Sequence, residues 1–112
     1  MTSLDETLSA LSDPHRRGVV DLLRARPRPA GELARALRLR PSAMSRHLGI
    51  LRKSGLIEED HQGQDARIRT YRLRPEPFSG LRRWVEEVEA FWGLELQAFK
   101  THVETKHGKG RK

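Results

Sequence analysis

Apolar residues recur along this chain at helical spacing, punctuated by proline and glycine, and only one stretch alternates. Leu4, Leu8 and Leu11 predict a short amphipathic first helix. Ser12-Asp13-Pro14 stops it and opens a second. Asp13 can accept backbone N–H groups as an N-cap, and Pro14 suits the first helical position, where its missing N–H costs nothing. Val19, Val20, Leu22 and Leu23 form the stripe of this helix. Arg26-Pro27-Arg28-Pro29 ends it, since each proline pushes the preceding residue out of helical geometry. Ala30 to Leu37 predicts a third helix, with Leu33 and Leu37 inward and Ala34 small enough for close packing. After a turn at Arg38-Leu39-Arg40, Pro41 opens a fourth helix to about Ser54. Met44, Leu48 and Leu51 are its buried stripe, and Gly55 terminates it.

Leu56-Ile57 starts a strand. The polar stretch Glu58 to Asp65 is a hairpin tip, and Arg67 to Leu73 alternates as the return strand, with Tyr71 and Leu73 inward and Thr70 and Arg72 outward. Pro75-Glu76-Pro77 reads as a rigid connector to a long helix. That helix carries a broad band of Phe78, Leu81, Trp84, Val85, Val88, Phe91, Trp92, Leu96, Phe99 and Val103. Gly93 within it predicts a close contact or a bend. Two helices joined by a three-residue turn and followed by a hairpin describe a winged helix-turn-helix. The fold class is therefore mainly α with a small β-hairpin. Residues 1–105 are expected to form the domain, and 106–112, which lack any apolar residue, a disordered basic tail. The last band is too wide for so small a core. A homodimer through the N- and C-terminal helices is expected, with Leu4, Leu8, Leu11, Trp84, Val88, Phe91, Trp92, Leu96 and Phe99 at the seam.

Composition narrows the chemistry. The 112 residues contain no cysteine, which removes disulfides, thiolate metal sites and cysteine nucleophiles together. No apolar run approaches the ~20 residues of a membrane span, and the N-terminus lacks a signal-peptide pattern, so a soluble cytoplasmic protein without a membrane partner is expected. The net charge of +7 is unevenly spread. Residues 14–54 hold eleven bases against two acids, while 1–13 and 76–105 are mildly acidic. A basic middle of this density suits a polyanion, double-stranded DNA above all.

At 100° per residue, Ser42, Ser45, Arg46, Gly49 and Lys53 fall away from the Met44/Leu48/Leu51 stripe. That face is small, polar or cationic, and Pro41 to Ser54 contains no acid. Small residues let a helix sink into the major groove, serine reaches base edges or phosphates, and arginine pairs with guanine. Ser42, Ser45, Arg46 and His47 are the base-reading candidates; a buried hydrogen bond that fixes the helix is the structural alternative for His47. Arg16 or Arg17, Arg35, Arg40, Arg52 and Lys53 are the phosphate candidates, with Arg67 and Arg69 reaching from the wing. The acids Glu58, Glu59, Asp60 and Asp65 would repel a DNA backbone, so the wing is expected to contribute weakly. A module that binds an acidic protein or RNA through the same face is the alternative function. Catalysis is not expected: Ser45, His47 and Asp60 come nearest to a triad, and no glycine-rich oxyanion loop accompanies them.

Leu11-Ser12-Asp13-Pro14-His15-Arg16-Arg17, Gly31-Glu32-Leu33-Ala34 and Ser45-Arg46-His47-Leu48-Gly49-Ile50-Leu51-Arg52-Lys53-Ser54-Gly55-Leu56-Ile57, in this order, resemble the core of the ArsR-type winged-helix repressors. Tyr71-Arg72-Leu73 resembles the end of their wing. The match runs from about Leu4 to Val103. The resemblance implies a dimeric transcriptional repressor that binds an operator inverted repeat, in the cysteine-free branch whose last helix carries the pattern seen at Phe91-Trp92-Gly93-Leu94-Glu95-Leu96. The inducing signal and any small-molecule effector are not specified. The family's cysteine metal ligands are missing. A second metal site of the family lies on the last helix, where only Glu86, Glu89, Glu95, His102, Glu104 and His107 are candidates. His102 and His107 stand roughly 140° apart around a helix, so no metal site or cofactor is expected. Two departures concern the turn: Arg38 stands where the family usually has glycine, and Arg40 where a serine or threonine caps the next helix.

Overall fold

A computed structural model describes residues 3–60 and 68–107, without the side chains of 94–98 and 104–107. The element order is α1 (Leu4–Ala10), α2 (Pro14–Leu23), β1 (Arg28–Pro29), α3 (Ala30–Leu37), α4 (Pro41–Lys53), β2 (Ile57–Asp60), β3 (Thr70–Leu73) and α5 (Pro75–His107). The chain divides into two compact units, residues up to Leu81 and residues from Arg82 onward.

Local signals set the helix ends. The side chain of Ser3 accepts from the Glu6 N–H and the Glu6 carboxylate accepts from the Ser3 N–H, a reciprocal capping box that starts α1. Asp13 accepts from the N–H groups of His15 and Arg16 and starts α2, with Pro14 in its first turn. At the end of α4, Gly55 N–H donates to the Arg52 carbonyl and Leu56 N–H to that of Leu51. This pairing turns the chain through a left-handed residue, and Gly55 adopts φ 77°. The end of α3 repeats the motif: Arg38 N–H donates to Arg35 and Leu39 N–H to Ala34. Here the left-handed residue is Arg38, at φ 58° and ψ 45°.

The core of the first unit joins Val19 and Leu23 of α2, Leu33 and Ala34 of α3, Met44, Leu48 and Leu51 of α4, then Leu56, Ile57 and Tyr71. Leu37, Leu39, Leu73 and Phe78 pack against it. In α1 the buried side chains are Thr7 and Ala10; Leu4 and Leu11 are half-buried and Leu8 faces solvent.

Several features differ from expectation. The wing is a three-stranded antiparallel sheet of order β1-β3-β2, because Arg28-Pro29 pairs with Tyr71 and Thr70. Two residues carry no periodicity, so the sequence alone marks only the end of α2 here. Glu32 explains why it docks: its carboxylate takes hydrogen bonds from Arg26 and Arg28, and Arg28 also donates to the Leu22 carbonyl at 2.9 Å. The Glu32 carboxyl is held below its ordinary range, first of all by the Arg28 hydrogen bond. Secondly, Pro75-Glu76-Pro77 is the first turn of α5 and not a connector, since prolines there forfeit no intrahelical bond. Thirdly, α5 continues through Lys106 and His107, into the stretch assigned to the tail; β2 takes in Glu58 to Asp60 of the stretch expected as the hairpin tip, and residues 61–67 and 108–112 lie outside the described residues. A Cβ added at Gly93 would meet nothing within 4 Å, so among the described residues no close approach accounts for this glycine.

The two left-handed turns make an opposed pair of expectations. Arginine in the left-handed region costs roughly 1–2 kcal/mol, and glycine's extra unfolded-state freedom returns about half of that. Arg38→Gly is therefore expected to raise stability in urea melts by up to about 1 kcal/mol, and Gly55→Ala to lower it by at least as much.

Candidate nucleic-acid interface

Helix α4 presents the outer face that its buried stripe dictates. Ser42, Ser45, Arg46, Gly49, Arg52 and Lys53 are all exposed, and a Cβ at Gly49 would stand in open space. Ile50 joins them at 37% exposure, an apolar member of this face that charge-based reasoning passed over. The N-terminus of α4 has no side-chain cap: Arg40 occupies the N-cap with an extended backbone and makes no such bond. Its first N–H groups and the positive end of the helix dipole are thus left for an anion.

Beside this face runs a groove of about 250 Å³ between α3, α4 and β3. Gly31, Ser45, Gly49, Arg52, Arg69 and Tyr71 contribute to its lining. Two arginines of the groove converge on one wing carboxylate: Arg52 lies 3.2 Å and Arg69 3.9 Å from Glu59. Glu58 is held by Arg72 at 2.7 Å and by Arg74 at 3.6 Å. Glu58 and Glu59 are thereby largely neutralised by arginines on and beside β3 and by Arg52 of α4, which lessens the repulsion expected of these two acids. Arg35 and Arg40 are exposed; Arg67 lies outside the described residues.

His47 and Arg16 depart from the DNA-facing role expected of them. The His47 side chain is only 6% exposed, packed beneath α4 beside Met44 and Leu48 in sequence register. Its Nδ1 lies 3.3 Å from Nη1 of Arg16. Burial, above all, pushes the His47 imidazole below its ordinary pKa; the Asp13 carboxylate opposes this, and Arg16 and Arg46 add to it. Nδ1 therefore accepts from the guanidinium of Arg16. Arg16 itself donates through Nε to the Ala10 carbonyl at 2.6 Å and through Nη2 to Ser9 at 3.4 Å. Arg17 donates to the Leu11 carbonyl at 2.7 Å. The two arginines close the C-terminus of α1, whose last carbonyls have no partner within the helix. Partial burial works against a charged Asp13, but the hydrogen bonds from His15 and Arg16 outweigh it and keep this carboxyl below its usual range. The run Asp13 to Arg17 is thus a structural knot between α1, α2 and α4. The sequence signals for it were the Asp13-Pro14 N-cap and the alternative of a buried hydrogen bond at His47.

In the second unit, α5 turns large apolar side chains to solvent. Trp84, Phe91, Trp92 and Phe99 are 42%, 64%, 58% and 66% exposed, and Val88 is half-buried. The Leu96 side chain lies outside the described residues. Among the described residues no helix is long and apolar enough to cross a membrane.

A helix-turn-helix domain family matches residues 11–60, which include α2 to α4. The HTH-type transcriptional regulator Rv2034 of Mycobacterium tuberculosis is 31% identical over 103 residues, spanning 92% of this chain and 91% of that protein. A solved ArsR-like transcriptional regulator from Rhodococcus sp. RHA1 superposes with a TM-score of 0.69 at 30% identity, over 91% of each chain. The chain belongs to the ArsR-type helix-turn-helix transcriptional regulators. The transcriptional repressor SdpR of Bacillus subtilis is 33% identical over 61 residues, 54% of this chain and 68% of that one. This ArsR-type protein is accordingly a DNA-binding regulator of transcription and not an enzyme.

The knot in this regulator has a measurable weight. Arg16→Ala removes three donors, two of them from partly buried acceptors, and a hydrogen bond from a charged group contributes about 1.5–3 kcal/mol. Thermal or urea melts are expected to show a loss of about 2–3 kcal/mol, whereas Arg46→Ala, exposed on α4, should stay within about 0.5 kcal/mol of the parent.

Proposed function

We propose that this regulator acts as a homodimeric repressor that binds an operator inverted repeat through α4. The observation that carries the reading is the outer face of that helix: exposed, free of acids, and uncapped at its N-terminus. Ser42, Ser45 and Arg46 read base edges, with Gly49 allowing close approach to the groove floor. Arg35, Arg40, Arg52, Lys53 and Arg69 meet phosphates. Arg52 and Arg69, with side chains 48% and 70% exposed, can leave Glu59 for DNA, since an ion pair with so exposed a cation is worth little, about 0–1 kcal/mol. Two copies of α4 about one DNA turn apart, ~34 Å, enter successive major grooves on one side of the duplex. Occupancy of the promoter then blocks polymerase.

The exposed aromatic side chains of α5 and Leu8 of α1 support the dimer, because leaving so many large apolar groups in water is unfavourable. Leu4, Leu11, Trp84, Val88, Phe91, Trp92, Leu96 and Phe99 complete the proposed seam.

Binding sites selected from random DNA test the reading, and they are expected to be inverted repeats with half-sites one turn apart. With these five phosphate-contacting side chains in each protomer, about ten contacts in the dimer, affinity should fall about 10⁵-fold between 50 and 200 mM salt. Arg46→Ala is expected to weaken operator binding about 10- to 100-fold and to relax preference at one base pair, whereas Lys53→Ala should weaken all sequences alike. Salt-independent binding would contradict the proposal. Placing aspartate at both Phe91 and Trp92 is expected to give a folded monomer in sedimentation equilibrium, and with it loss of operator binding.

A further inference from the structure

The knot around Arg16 also gathers a second kind of chemistry. Asp13 and His15 stand in the first turn of α2, and His47 comes up against them from the inner face of α4. One donor atom from each lies within 4.8 Å of the other two. The imidazole rings are 5.6 Å apart between centroids, tilted by 45°, and His15 Nδ1 is 3.8 Å from Asp13 Oδ1. We propose that Asp13, His15 and His47 form a binding site for a borderline divalent transition-metal ion of the zinc, cobalt or nickel kind.

The donor set carries the assignment. Two imidazoles and one carboxylate suit these ions, whereas calcium and magnesium prefer oxygen alone. Tetrahedral coordination at about 2.0–2.1 Å puts donors about 3.4 Å apart. The trio must therefore contract by little more than an ångström. The contraction falls on His15, whose side chain is about half exposed (48%), while Asp13 and His47 are held by hydrogen bonds and packing. Two N–H groups occupy the capping oxygen of Asp13, and a carboxylate offers about four lone-pair positions, so acceptor capacity remains. Burial favours a neutral His47, the form that ligates. A fourth position is left for water.

Loading the site changes the knot. If the ion takes His47 Nδ1, it displaces the Arg16 donor. If it takes Nε2, the remaining ring proton moves to Nδ1, which then donates and can no longer accept from Arg16. Either way the Arg16–His47 bond is lost, and the positive ion repels the guanidinium that closes α1. Metal occupancy is thereby linked to the last turn of α1 and to the seating of α4. The expectation that looked to the last helix for ligands missed this trio, because its members are brought together from two helices distant in sequence.

The test is Co²⁺ titration of the full chain, followed by Zn²⁺ displacement and thermal melts. One Co²⁺ per protomer with intense tetrahedral visible bands is expected, bleached by Zn²⁺, with saturating Zn²⁺ raising the midpoint by about 5 °C or more, because an ion that binds only the folded state stabilises it. Asp13→Asn keeps an N-cap acceptor while discarding the charge, and His15→Ala alters an exposed side chain, so both are expected to fold. Each should weaken Co²⁺ binding at least tenfold. Absence of tetrahedral bands, or unchanged binding in both variants, overturns the site.

Discussion

Burial of Met44, Leu48 and Leu51 under α4 is the constraint on which the rest depends. Each of these side chains is worth roughly 1.5–3 kcal/mol when withdrawn from water. Rotating the helix by one residue, 100°, would expose them and carry Arg46 toward the core, where an unpaired guanidinium is far costlier than any surface contact could offset. The stripe therefore settles the direction of the outer face with several kcal/mol to spare. The face that results is cationic because Pro41 to Ser54 holds no acid.

Electrostatics sorts the many arginines into two groups. Those of the knot, Arg16 and Arg17, donate to backbone carbonyls at the end of α1, and Arg16 also meets a buried imidazole. Arg16, partly buried against the imidazole, is thereby committed to the fold. Arg52, Arg69 and Arg72 pair instead through side chains that stay about half exposed or more, and such pairs are weak enough for phosphate to replace them. A count of positive charges in the middle of the chain overstates the DNA-facing surface for this reason. The distinction lies in which acceptors are already buried beside each guanidinium.

Much of the architecture is legible in the residues because its signals are local. Asp13-Pro14, Pro41 and Gly55 mark helix ends through hydrogen bonds that reach no further than a few residues, and the stripes of α3 and α4 follow from helical periodicity alone. Arg38 stood out only through the resemblance, as a departure from the family's usual glycine, and the structure gives it the left-handed backbone that glycine would favour. The resemblance to ArsR-type proteins rests on these same positions, so fold and family were readable together.

What the residues by themselves determined is the set of helices, the acid-free face of α4 and the class of regulator. What only the tertiary structure decided is the assignment of His47, Arg16 and the short strand at Arg28-Pro29. His47 and Arg16 are 31 positions apart, and β1 finds its partners in β3 beyond two intervening helices. Periodicity assigns a residue to an inner or outer face of its own element, but it cannot say which distant group will stand opposite. That depends on how whole elements pack, and the packing turned a candidate base contact into the buried centre of a hydrogen-bonded knot.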